Sequence, residues 1–162
     1  MLEFSERLAM GKTFEEEASR FLTSQGFPIG LHFSAAGQWE WGESAAHCEI
    51  KFDRRWKETG NLFIETRERR NADGTSAWRP AGIYDAAAPW FYLIGDRNKL
   101  WLLSVALLIR MDFSAKYPRA SLPTAEGFLL PVGVADQWAI RLFLDWLPSA
   151  ALATQRAARW QP

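Results

Sequence analysis

Short runs of apolar, β-branched and aromatic residues, bracketed by Gly, Asp and Asn, recur along this chain and restrict it to folds built on strands. Successive strand side chains point to opposite faces. In residues 47–52, Cys48, Ile50 and Phe52 therefore fall on one side, and His47, Glu49 and Lys51 on the other. Residues 61–67 alternate again, Leu62, Ile64 and Thr66 against Phe63 and Glu65, behind the turn residues Thr59-Gly60-Asn61. The two runs read as a hairpin. A second hairpin is expected from 90–94 and 100–103 around Gly95-Asp96-Arg97-Asn98. Residues 27–33 and 128–132 are further strand candidates, and the polar stretch 71–80, with Asp73-Gly74, reads as an exposed loop.

Helical spacing appears three times. Phe14, Ala18, Phe21 and Leu22 mark an amphipathic helix over 13–25, with Thr13 as its cap and Gly26 as its stop. Residues 103–111 turn helical, and Trp138, Leu142 and Trp146 mark a helix over 135–147 ended by Pro148, followed by an Ala-rich tail. The expected class is α/β (α+β), a central mixed β-sheet flanked by helices. No repeat or linker divides the chain, so one domain over 1–162 is expected, with its core at about 11–147 and a tail at 148–162.

Composition supports a packed core: 162 residues, 48% of them apolar, include nine Trp and eleven Phe. Cys48 is the one cysteine, so no intrachain disulfide forms, and a cytoplasmic setting is the expectation. The first residues lack a secretory pattern. The apolar stretch 100–109 is interrupted by Ser104 and falls short of the roughly 20 residues a spanning helix needs, so no membrane span is expected. Nineteen basic residues balance nineteen acidic ones, which argues against coating nucleic acid by bulk charge. Residues 53–70 nonetheless concentrate Arg54, Arg55, Lys57, Arg67, Arg69 and Arg70, a solvated surface or a local phosphate-binding patch.

The chemistry centres on Glu49-Ile50-Lys51. Phosphodiester hydrolysis commonly uses a divalent cation held by converging carboxylates, with a lysine near the attacking water. Glu49 supplies a carboxylate, Lys51 the ammonium on the same strand face, and the Ile50 carbonyl a further oxygen. A second acid is available from Glu43, with Glu40 as the alternative, and a third from Glu15, Glu16 or Glu17 on the first helix. Taken alone the tripeptide says little, because Glu and Lys pair this way on many solvent-facing strands.

Longer stretches carry more. W-G-E-S-A-A-H-C-E-I-K-F-D over 41–53, followed by T-G-N-L-F-I-E over 59–65, resembles small phage-type nucleases of the PD-(D/E)XK superfamily. Gly11, Glu15, Leu22 and the Gly26-Phe27 pair match the spacing at the start of archaeal-type Holliday-junction resolvases in that superfamily. The likeness runs more loosely through Ala81-Gly82-Ile83-Tyr84 and 127–132, covering most of 11–145. It implies a restriction-endonuclease-like fold and a Mg²⁺- or Mn²⁺-dependent DNA endonuclease, with branched or phage-related DNA as the suggested substrate. In that scheme Glu43 and Glu49 are the acidic ligands, joined by the Ile50 carbonyl, Lys51 is the catalytic lysine and Glu15 the helix acid. Glu43 follows Gly42 where the family usually has Asp after Pro, so its arm is one methylene longer. Members of the superfamily often work as dimers, and a homodimer is expected on that analogy.

Around this centre, Glu65 is either a group supporting Lys51 or the metal, or a plain cross-strand ion-pair partner of Lys51. Arg54, Arg55 and Lys57 are the candidates for phosphate contacts. Asp53 reads as a turn residue, His32 and His47 as solvent-facing, with a DNA-backbone contact open to His47, and Cys48 as buried. Trp39, Trp41 and Trp56 read as core residues or as platforms for unpaired bases. Two other classes stay open: a catalytically silent relative that binds DNA or a protein, and a purely structural ion-pair network.

Overall fold

The computed structural model describes residues 4–24 and 48–142. Among them the order is α1 (Phe4–Ser24), β1 (Cys48–Phe52), α2 (Trp56–Thr59), β2 (Asn61–Glu68), β3 (Arg79–Pro80), a 3-10 turn (Gly82–Tyr84), β4 (Phe91–Gly95), β5 (Leu100–Ser104), α3 (Val105–Phe113), β6 (Arg119–Ser121), β7 (Ala125–Pro131), α4 (Val132–Trp138) and β8 (Ile140–Leu142). The protein is a mixed α/β structure, but with two sheets where one was expected. The first runs β1-β4-β5-β8, with β1 parallel to β4 and the other pairs antiparallel. The second runs β3-β2-β7-β6 and is antiparallel throughout.

The reason lies in where apolar faces find partners. On the first sheet, Tyr92, Ile94, Trp101 and Leu103 pack against Leu62, Ile64, Phe128 and Leu130 of the second, forming the main core. The opposite face, with Cys48, Ile50, Leu93, Leu100 and Leu102, is covered by Phe14, Ala18, Phe21 and Leu22 of α1. Helix, sheet and sheet therefore form three layers, and the first sheet is apolar on both faces. Its fully buried Leu and Ile side chains contribute about 1.5–3 kcal/mol each. Truncating Phe14 to Ala would cost about 3–5 kcal/mol at the helix–sheet contact.

Several expectations are corrected by this packing. Strands β1 and β2 do not form a hairpin: β1 pairs with β4, and β2 with β7 and β3. Alternation identified both strands, but strand periodicity carries no information about partners. The β4–β5 hairpin is present as expected. Helix α1 starts well before Thr13, whose hydroxyl is not a cap but donates to the Ala9 carbonyl, 2.9 Å away. Helix α3 begins at Val105, two residues later than expected, since Leu103 and Ser104 still pair with β4. The helix read over 135–147 ends at Trp138, and residues 140–142 instead pair with β5. The loop 71–80 is largely exposed, although its last two residues close onto β2 as β3. The strand at 27–33 and the tail at 148–162 lie outside the described residues. Among the described residues no helix is long and apolar enough to cross a membrane.

Candidate functional site

Alternation along β1 sends Cys48 and Ile50 under α1 and turns Glu49 and Lys51 the other way. There Lys51 Nζ lies 2.7 Å from Glu49 Oε1 and 3.0 Å from Glu65 Oε2, so one ammonium bridges two carboxylates from different sheets. Both acids are buried, Glu49 with 7% and Glu65 with 9% of its surface exposed. Among the described residues two carboxylates thus face one ammonium. Carboxylates buried this far keep their charge only with partners of this kind.

The backbone holds Glu65 in place. Gly82, at φ +57°, sits so close that a Cβ there would lie 2.3 Å from the Glu65 carbonyl oxygen. Gly127, opposite Glu65 in the β2–β7 register, would bring a Cβ to 2.0 Å from the Ile64 carbonyl oxygen. The Glu65 amide donates to the Tyr92 hydroxyl at 3.4 Å. Tyr92 is fully buried, and burial foremost pushes its phenol well above the usual value near 10, so it stays protonated through neutral pH.

Of the three consecutive acids on α1, Glu17 binds Arg97 at 2.7 Å and Glu16 binds Arg20 at 3.2 Å. Glu15 is the one coupled to the cluster. Burial raises its carboxyl above the usual value near 4.5; the Lys51 charge opposes that shift and the Glu49 charge adds to it. Glu15, the helix acid expected from the sequence, is thus within electrostatic range of Lys51 and Glu49.

Lys51 and Glu65 open into a cleft of about 700 Å³. Asn61, Phe63 and Glu65 of β2 line it, with Leu129, the register partner of Phe63, and Tyr92 and Ile94 of β4. Phe52, Asp53, Arg54 and Arg55 complete it from the end of β1. Asp53 is a turn residue, as expected: its carboxylate accepts the Arg55 amide at 2.8 Å and the Phe63 amide at 3.1 Å, and so ties β1 to β2. Arg54 and Arg55 are exposed. Lys57 is engaged elsewhere, 2.7 Å from Asp96 Oδ2 and over the Trp56 ring. Trp56 itself is half-buried, edge-on to Trp101 with centroids 5.0 Å apart, which makes it a packing residue and not an open platform.

The expected metal ligands are only partly in view. Glu49 and the backbone of Ile50 lie in β1, whereas Glu43 and Glu40, like Trp39, Trp41, His32 and His47, lie outside the described residues. Among the described residues no three His, Cys, Asp or Glu side chains come close enough to hold a metal ion. The Glu49–Lys51–Glu65 cluster therefore does not by itself fit an Mg²⁺ or Mn²⁺ site; its own ammonium stands between the two acids. The sequence reading missed Tyr92 and the cleft role of Phe63. Tyr92 sits in an apolar strand run that reads as core, but the Asn61, Phe63, Glu65 spacing was a usable sign of a shared face. Comparison with protein-family models, curated proteins and solved structures yields no match.

Proposed function

We propose that this chain hydrolyses phosphodiester bonds in DNA, with the scissile phosphate bound at Lys51 between Glu49 and Glu65. The carrying observation is a partly exposed ammonium that lines a cleft together with the buried Glu65 carboxylate, is paired from behind the lining with the buried Glu49, and is flanked by exposed Arg54 and Arg55. A water oxygen attacks phosphorus while the bond to the leaving sugar oxygen breaks, and that oxygen takes a proton from solvent to leave as a hydroxyl. Glu49 or Glu65 takes the water proton, and the Lys51 ammonium faces the charge that develops on the phosphoryl oxygens. Arg54 and Arg55 hold neighbouring phosphates. Glu15 positions the cluster through its charge.

Divalent cations supply charge neutralisation in hydrolyses of this kind. Here Glu49 would have to be joined by Glu43. The resemblance to PD-(D/E)XK nucleases and the expectation of Mg²⁺ or Mn²⁺ belong to this proposal, as does a homodimer.

The test is cleavage of labelled single-stranded, duplex and four-way-junction DNA with Mg²⁺, with Mn²⁺ and with chelator, using the wild type, Lys51→Ala, Glu49→Gln and Glu43→Ala. Loss of a general acid–base group costs about 10²- to 10⁴-fold in rate, as expected for Glu49→Gln if it is the base, and loss of a group that stabilises the developing charge costs about 10²- to 10³-fold, as expected for Lys51→Ala. Cleavage undiminished in both variants would discard the assignment. A Glu43→Ala loss confined to the metal-stimulated rate would place Glu43 at the cation.

A second reading, a non-catalytic member of the fold that binds DNA or a protein, is favoured by one observation. Lys51 is fully matched by its two acids without a third ligand among the described residues. DNA binding with no cleavage under any metal condition selects it.

A further inference from the structure

The cleft at Lys51 is unlike a surface for duplex backbone. A duplex presents phosphates, and a protein that grips it does so through many cations, yet this chain has no net charge and the cleft offers Arg54 and Arg55 at its edge. Its walls are mostly apolar: Phe63 and Leu129 side by side on the second sheet, Ile94 from the first, Leu122 beyond β6, and Phe52 at the end of β1. Phe52 lies against Phe14 with ring centroids 4.7 Å apart, so its ring is engaged with α1 and Phe63 is the aromatic wall of the cleft. Leu122 is 42% exposed, an apolar side chain at the opening. A volume of about 700 Å³ belongs to the range of small-molecule sites and leaves room for a nucleotide. Aromatic walls suit unstacked bases, whatever their identity, because every base has a π-face.

We infer that the cleft admits an unpaired nucleotide, its base seated against Phe63 and its adjoining phosphate directed to Lys51, with Arg54 and Arg55 on the flanking phosphates. The inference rests on the proposed phosphodiesterase reading and specifies its substrate: DNA strands with unpaired nucleotides, and not continuous duplex. The unpaired-base platform is thereby assigned to Phe63 in place of Trp56, which is packed edge-on to Trp101.

The experiment is fluorescence anisotropy in chelator, where binding is read apart from cleavage. The probes are a labelled mixed-sequence oligodeoxynucleotide, the same strand with a run of abasic sites, and its blunt duplex. The single strand is expected to bind at least about 10-fold more tightly than the duplex, and each lost base–ring contact is expected to weaken binding about 5- to 100-fold. Both the abasic strand and Phe63→Ala lose that increment, and Phe63→Trp retains it. The abasic strand alters the ligand and leaves the protein intact, so a misfolded Phe63→Ala cannot decide the outcome.

Equal affinity for strand and duplex, or an abasic strand bound as well as the intact one, overturns the inference. In that event Lys51-dependent cleavage of duplex leaves the phosphodiesterase reading standing. Preferential, base-dependent binding without any cleavage supports the inference and removes the catalytic reading. No binding to any of the three probes overturns both.

Discussion

Two lysine clusters of similar chemistry sit in this molecule, and they differ in charge balance and access. Lys99, in the β4–β5 turn, lies 2.7 Å from Asp136 Oδ1 on α4, and the Trp101 indole donates to that same oxygen at 2.8 Å. The ammonium also rests over the Trp101 ring, 4.6 Å from its centroid. That pair fastens α4 to the first sheet. At Lys51 one cation meets two anions that are better buried than Asp136, and the ammonium borders an open cleft. A short ion-pair distance therefore says little about purpose. Excess charge held at the edge of a cavity is what separates a candidate site from a structural tie.

The strongest way to break the contrast is through the backbone behind Glu65. Ala at Gly82 combines a left-handed backbone with a Cβ 2.3 Å from a carbonyl oxygen, and Ala at Gly127 meets one at 2.0 Å. Each is expected to cost about 3 kcal/mol or more in urea unfolding. Wherever the variant still folds, the proposed phosphodiesterase activity should fall further than stability alone explains, because Glu65 is displaced from Lys51. Unchanged stability in both variants would contradict the close packing of β2 against Gly82 and β7.

Exchanging the lysines sharpens the comparison next. Lys51→Met leaves two buried carboxylates facing each other, and the expected loss is about 3 kcal/mol at neutral pH. Lys99→Met leaves Asp136 more exposed than either acid and still hydrogen-bonded to Trp101, and the expected loss is about 1–2 kcal/mol. Equal losses would mean that the charge imbalance at Lys51 has no energetic weight. DNA cleavage should disappear with Lys51→Met and persist with Lys99→Met.

The smallest effect concerns Glu15. Its carboxyl is raised above the usual value near 4.5, mainly by burial, so ionising it at neutral pH works against the folded state. That penalty is present in full above the raised value and absent below the ordinary one. Glu15→Gln should therefore melt slightly higher than the wild type at pH 7 to 8, with an advantage that fades as pH falls through the Glu15 titration range. A variant less stable than wild type at pH 8 would show that Glu15 is held by favourable contacts instead. Paired with slower cleavage, a gain in melting temperature would mark Glu15 as a residue kept for its charge at the cost of stability.

Much of the local structure was legible from residue patterns. Helical spacing of Phe14, Ala18, Phe21 and Leu22 reports burial because those positions share one face of a helix, and all four are buried. Period-two alternation around Glu49 and Lys51 reports a shared strand face for the same geometric reason, and Gly95-Asp96-Arg97-Asn98 identified a hairpin because a tight connection leaves adjacent strands little choice. Partner choice over longer separations was not legible. The assignment of β1 to β4 and of β2 to β7, and with it the split into two sheets, depends on which apolar faces cover one another across the whole chain, and no local period encodes that. For the candidate site the division is similar. The shared face of Glu49 and Lys51 could be read from spacing and Glu15 was singled out among three helix acids by the resemblance, while the meeting of Lys51 with Glu65 across two sheets, the Tyr92 hydroxyl that accepts the Glu65 amide, the engagement of Lys57 by Asp96 and the apolar cleft are products of packing. Local periodicity determined which side chains travel together along each element; only tertiary structure decided which elements face each other, because that choice is set by the burial of surfaces contributed by residues far apart in the chain.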